Sequence, residues 1–265
     1  MNLVLVAHGT RRPGGVAMIG DLAAQVGALV DGTVRVAFVD VLGPTPSELL
    51  SRYAAPPRAA ARPAIVVPAF LSRGYHVRTD LPAHVAASGH PNVTVTPALG
   101  PSPQITQLLA DQLVQTGWRP GDSVILAAAG TSDRRARADL RSAATLLATL
   151  IGSRVDLGFA ATGDPDVRTA VAQARRRGAN RVAVASYLLA DGLFQERLYA
   201  SGADLVTRPL GTHPGLAGLI ANRFQGFQSF QGAVQYRSGD RRRRRVPNCV
   251  EHQAPWTSHA DIGET

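Results

Sequence analysis

The chain has 265 residues, of which 45% are hydrophobic, 18% charged and 5% aromatic, the profile of a folded globular protein and not of a disordered one. All 28 basic residues are Arg, so a P-loop lysine, a kinase strand lysine, a pyridoxal-phosphate Schiff base and a lysine nucleophile are excluded. The single cysteine, Cys249, rules out an intrachain disulfide, a thiolate zinc cluster and an iron–sulfur centre, which leaves His and carboxylates as metal ligands.

In chain order, strands are predicted at 2–7, 33–40, 63–69, 92–95, 122–128, 154–160, 181–186 and 203–206. The first lacks a basic segment before it and reads as a buried strand rather than a signal peptide. No apolar run approaches the ~18 residues of a membrane span, so no membrane partner is expected and a reducing cytoplasm is the expected location. Between the strands, helical periodicity covers about 15–30, 45–54, 77–87, 101–117, 133–150, 165–177, 193–200 and 213–224. Nearly continuous apolar strands alternating with helices predict an α/β fold of doubly wound parallel sheets, both faces covered.

The two halves repeat each other. Leu3 to Thr10 matches Val124 to Thr131, and Val34 to Phe38 matches Val155 to Phe159, both at an offset of 121. Val66 to Gly74 matches Val184 to Gly192 at 118, and Gly100-Pro101-Ser102-Pro103 matches Gly211-Thr212-His213-Pro214 at 111. A falling offset means shorter loops in the second copy of a duplicated unit. The expected organisation is two similar four-stranded lobes with a cleft between them, at 1–118 and 119–224. An Arg-rich, low-complexity tail at 225–265, carrying Arg241 to Arg245, is expected to be disordered and not a nucleic-acid arm. Of the net charge of +9, +7 falls on residues 1–224, a balance that suits an anionic partner, although Arg in place of Lys also follows from a GC-rich genome.

Ligands of open parallel sheets bind at the carboxyl ends of the strands, where strand order reverses. With order 2-1-3-4 in each lobe, His8 ends the first strand, Asp40 ends the second and His76 follows the third. Two imidazoles with a carboxylate form a plausible site for a first-row divalent metal. In the second copy the counterparts of His8 and His76 are Ala129 and Phe194, so one site per chain is expected, in the first lobe. Alone, either His reads more simply as a satisfied strand-end residue, and Asp40 as a turn or cap residue. His84 and His90 read as surface residues, His213 as an N-terminal helix residue. Arg11, Arg12, Arg73 and Arg78 flank the two His and could pair with substrate carboxylates, with solvated charge as the plain alternative.

Three segments carry a resemblance. Val6-Ala7-His8-Gly9-Thr10-Arg11, Phe38-Val39-Asp40, and Pro68 to Pro82 with its Gly74-Tyr75-His76 and His76-x-x-x-Asp80 spacing resemble the sirohydrochlorin chelatases of the CbiX/SirB type, over about residues 1–224. The resemblance implies ATP-independent insertion of a divalent metal, Fe2+ before Co2+, into sirohydrochlorin, a polycarboxylate tetrapyrrole, in sirohaem or cobalamin biosynthesis. It implies that His8 and His76 bind the metal and take the pyrrole protons, with Asp40 standing where the family usually has Glu. A monomer is expected, with an oligomer as the alternative, and no prosthetic group, the metal being substrate. A carrier using the same pocket is the first alternative. A histidine-dependent phosphate-ester hydrolase is disfavoured because Ala7, not Arg, precedes His8.

Overall fold

The apolar runs form eight parallel strands in two separate sheets. The protein is seen as a computed structural model that describes residues 1–54 and 61–239, with side chains as far as Gly226. The first half runs β1 (Asn2–Ala7), α1 (Pro13–Leu29), β2 (Val34–Phe38), α2 (Pro46–Tyr53) and β3 (Ala64–Pro68). A π-helical turn (His76–Asp80) then leads into α3 (Leu81–Ser88), β4 (Val93–Val95) and α4 (Pro103–Thr116). The second half runs β5 (Ser123–Gly130), α5 (Arg134–Ile151), β6 (Val155–Thr162), α6 (Val167–Arg176), β7 (Val182–Tyr187), α7 (Leu193–Tyr199) and β8 (Leu205–Val206). A short 3-10 turn (Leu210–Thr212) precedes α8 (Pro214–Gly239).

The sheet orders are β2-β1-β3-β4 and β6-β5-β7-β8, as the repeat requires. Equivalent registers recur: Leu3 lies beside Val34 and Val124 beside Val155. Equivalent turns recur as well, with Phe38 N–H donating to Pro44 C=O and Phe159 N–H to Pro165 C=O.

Alternate residues of each central strand face different helices, which explains why these strands are apolar throughout. In the first sheet, Val4, Val6 and Val66 pack on Leu49 and Leu50 of α2 and Leu81 of α3. In the second, Ile125, Ala127 and Val184 pack on Val167 and Val171 of α6 and Leu198 of α7. The opposite faces share one core. Leu5, Ile65, Leu126 and Ala185 belong to a single cluster with Leu22 of α1, Leu109 of α4, Leu140 of α5 and Ile220 of α8. Each such buried Leu or Ile contributes about 1.5–3 kcal/mol. Met1–Gln228 accordingly form one compact unit.

Local signals agree with the elements they start. Thr45 and Glu48 form a reciprocal capping box on α2, Ser102 caps α4, and Asp133 and Asp166 cap α5 and α6. His213 stands where the first copy has Ser102, and its Nδ1 accepts the Gly215 N–H at 3.0 Å, doing the same work at the start of α8.

α8 runs past Phe224 to Gly239. Residues 225–239 contain no Pro, and a helix nucleated on the buried Leu216, Ile220 and Phe224 propagates cheaply through them. His90 is buried rather than on the surface, its Nδ1 accepting the Asn92 N–H at 3.1 Å. The Arg241 to Arg245 run, Cys249, His252 and His259 lie outside the described residues. Among the described residues, no helix is long and apolar enough to cross a membrane.

Candidate metal and substrate site

β1 and β3 are adjacent and parallel, so their carboxyl ends lie on one rim. His8 follows β1 directly, and His76 opens the π-helical turn beyond β3. The two imidazoles meet edge to face, with centroids 4.5 Å apart and planes at 89°. Phe70 stacks on His76 at 6.3 Å, and Tyr75 meets it edge-on at 6.0 Å.

The hydrogen bonds decide which nitrogens carry protons. Nδ1 of His8 lies 3.1 Å from the Gly9 carbonyl oxygen, and Nδ1 of His76 lies 2.6 Å from Oδ2 of Asp80. A carbonyl and a carboxylate only accept, so both Nδ1 atoms are the donors. Nε2 of each neutral ring therefore keeps its lone pair as base or ligand. Two imidazoles that each reach a metal at about 2.1 Å can share one ion at this centroid separation. The wide turn that carries His76 is closed by Leu81 N–H donating to His76 C=O, and it brings Asp80 beside the ring.

The loop after β1 depends on Gly9. Its φ is +100°, and a Cβ there would lie 2.1 Å from the Asp40 carbonyl oxygen. Gly130 repeats the arrangement in the second half, with φ +109° and the Thr162 carbonyl oxygen 2.0 Å from an added Cβ. Each glycine lets the loop after one central strand close on the loop after its neighbour.

A cavity of about 710 Å³ opens between the halves, within the usual size of ligand sites. His8, Thr10 and His76 line it from the first half, and Gly130, Asp133 and Phe194 from the second.

Asp40 is not brought to the imidazoles. Its Oδ1 accepts the N–H of Val41 at 2.7 Å, its side chain is exposed, and it lies outside the cavity lining. Val41 has a φ of +68°, and the Asp40 carboxylate serves that turn instead of a metal. Among the described residues, no group of three or more His, Cys, Asp and Glu is placed to hold a metal ion.

Three of the four arginines read as substrate contacts are already engaged by the second half. Arg12 forms a two-pronged pair with Glu196, Arg78 pairs with Asp133, and Arg73 with Asp139. Arg73 and Arg78 do not line the cavity, whereas Arg12 does. Arg11 makes no ion pair among the described residues. Asp139 is only 2% exposed; burial opposes its ionisation, but donors from Arg73 at 2.5–3.2 Å outweigh that and hold its carboxyl below the usual range. The buried Tyr187 hydroxyl, its pKa pushed up by burial, donates to the Leu71 carbonyl at 2.8 Å. These contacts tie the loops that carry His8 and His76 to the other half.

Sequence reasoning left two kinds of residue unassigned. Asp80 stood in the His-x-x-x-Asp spacing, which places the two on one helical face, so a signal existed. Asp133, Asp139 and Glu196 gave none, because their partners lie 55, 66 and 184 residues away.

The comparisons agree with this geometry. The CbiX family profile matches residues 2–116 and 123–226, both copies of the repeat. The chain belongs to the CbiX/SirB family of chelatases. The sirohydrochlorin cobaltochelatase of Methanothermobacter thermautotrophicus is 27% identical over 133 residues, which is 43% of this chain and 90% of that protein. Among solved structures, SirB from Bacillus subtilis with Fe3+ superposes with a TM-score of 0.72 at 19% identity, covering 85% of this chain and 95% of that one. The CbiX described as the terminal enzyme of sirohaem biosynthesis in denitrifying bacteria gives 0.64 at 22% identity, covering 85% and 99%. At these identities the structural likeness establishes the fold.

Proposed function

We propose that this chain inserts a divalent metal ion, Fe2+ or Co2+, into sirohydrochlorin without ATP. The observation that carries the reading is the His8–His76 pair, two imidazoles in contact on one cavity wall with both Nδ1 atoms committed to acceptors. Family membership supports it, as do the relatives named for sirohydrochlorin and the SirB structures with Fe3+ and with cobalt.

Two protein ligands suit a metal in transit, since the remaining coordination positions stay open to water and then to the macrocycle. As pyrrole nitrogens bond to the metal, its bonds to the two Nε2 atoms break. The freed lone pairs accept the two displaced N–H protons and release them to solvent, so charge and protons balance without a nucleotide. Gly9 and the cross-half ion pairs hold the imidazole loops in place, which lowers the entropic barrier to bringing metal and ring together. Arg12, which lines the cavity, and Arg11, which makes no ion pair among the described residues, are read as the contacts for substrate carboxylates. Arg73 and Arg78 position the His76 loop.

The test is metallation of sirohydrochlorin followed by absorption, with Fe2+ and Co2+ offered separately and in competition. His8→Ala and His76→Ala are each expected to lose at least 100-fold in rate. Wild-type rates in both variants overturn the reading. Binding of one macrocycle per chain without repeated metallation would identify a carrier instead.

A further inference from the structure

Where the first half presents Tyr75 and His76 to the cavity, the second presents Leu193 and Phe194, and Phe194 is the duplicate of His76 itself. Leu193 is 49% exposed and Phe194 39% exposed, adjacent residues in the first turn of α7. A single exposed apolar side chain needs no explanation, but two in sequence on a cavity wall do. Tyr75, on the imidazole side, is 59% exposed and lines the same cavity. Two of the three exposed large aromatics among the described residues, Tyr75 and Phe194, thus belong to this one cavity.

The Phe194 ring is held. Arg197, one turn on, places its guanidinium 6.0 Å from the ring centroid while donating to the Ala160 carbonyl at 2.9 Å. Glu196, between them, is bound by Arg12 of the loop that carries His8. The turn that bears the apolar pair is therefore anchored to its own sheet and to the metal-side loop. Such anchoring lowers the entropic cost of presenting a wall to a ligand.

We propose that Leu193 and Phe194 form the surface on which the flat face of the macrocycle lies, so that the duplicated lobes have divided the work. The first lobe holds the cation at His8 and His76; the second holds the ring at the equivalent strand-end position, where imidazole has become phenyl. This rests on the reading of the site as a metal-insertion site, and it names the residues that determine macrocycle affinity. An apolar, π-rich disc with carboxylates around its edge matches this wall. Its face meets Phe194 by offset stacking, and its edge meets the arginines at the rim.

The experiment measures three quantities on the full chain and on Phe194→Ala, Phe194→Trp and Leu193→Ala: affinity for metal-free sirohydrochlorin by absorption titration, affinity for Co2+ alone, and steady-state metallation. Phe194→Ala is expected to weaken macrocycle binding and raise KM about tenfold, with Co2+ affinity unchanged. Phe194→Trp is expected to restore binding, and Leu193→Ala to give a smaller loss. Unchanged macrocycle affinity in Phe194→Ala, with wild-type metallation intact, overturns this inference and leaves the reading of the site standing. Equal loss of Co2+ affinity also overturns it, because the wall would then act on the metal. A wild-type chain that binds Co2+ but neither binds nor metallates sirohydrochlorin overturns the reading of the site. If Phe194→Ala instead abolishes concentration-dependent dimerisation and leaves macrocycle affinity unchanged, the apolar pair is a contact between copies and the proposal falls.

Discussion

Nδ1 of His76 donates to Oδ2 of Asp80 across 2.6 Å, within a single π-helical turn. The carboxylate fixes the tautomer that leaves Nε2 unprotonated, and it holds the ring against His8. In Asp80→Asn the amide can turn its NH2 toward the ring and favour the tautomer with no lone pair at Nε2. We expect a 10- to 100-fold loss in metallation rate and in Co2+ affinity, with the fold intact by circular dichroism. Metallation at the wild-type rate would show that Asp80 is only a surface partner.

Gly9 and Gly20 separate two meanings of glycine in this chain. Gly9→Ala combines a φ of +100° with a Cβ 2.1 Å from the Asp40 carbonyl oxygen, so we expect about 2–3 kcal/mol of destabilisation and a displaced His8 loop. Gly20 is exposed in the interior of α1 with nothing within 4 Å of an added Cβ, and Gly20→Ala should stabilise by about 0.5–1 kcal/mol. Urea melts of both variants check the pair, and equal effects would contradict it.

Asp139 makes the Arg73 contact testable by mutation. Arg73→Ala leaves a buried carboxylate with fewer donors, which we expect to cost about 2 kcal/mol after allowance for the exposed guanidinium. Asp139→Asn should partly rescue Arg73→Ala in a double-mutant cycle, since it removes the buried charge. Additive losses would mean that the two residues are not coupled.

The same contacts set an acid limit. Because the folded Asp139 carboxyl titrates below its unfolded value, its stabilisation is complete above about pH 4 and is lost as the pH falls through the folded value. Burial likewise pushes the His90 imidazole down, so the unfolded chain takes up that proton first and stability declines as the pH falls below about 6.5. We expect Tm to fall in two stages on acidification, and His90→Gln to remove the upper one. An unchanged Tm profile in that variant would assign the upper stage elsewhere.

Arg11 is the predicted substrate contact that no carboxylate occupies among the described residues. Arg11→Gln should raise KM for the macrocycle with little change in kcat, and KM of the wild-type chain should rise with salt. A fall in kcat at constant KM would place Arg11 in the chemistry instead.

The sequence by itself determined the two parallel sheets, the equivalence of their strand orders and the His pair. Strands buried on both faces must be apolar throughout, helices carry their own period, and the duplication shows each element twice. His8 and His76 were legible because parallel strands put their carboxyl ends on one rim and the second copy has lost both residues. Only the tertiary structure decided the carboxylates. Asp40 turned to its own loop, Asp80 took the His76 ring, and Asp133, Asp139 and Glu196 claimed three arginines from the opposite half. Side-chain partnership over 55 to 184 residues depends on how the halves pack, and neither periodicity nor motif spacing encodes it.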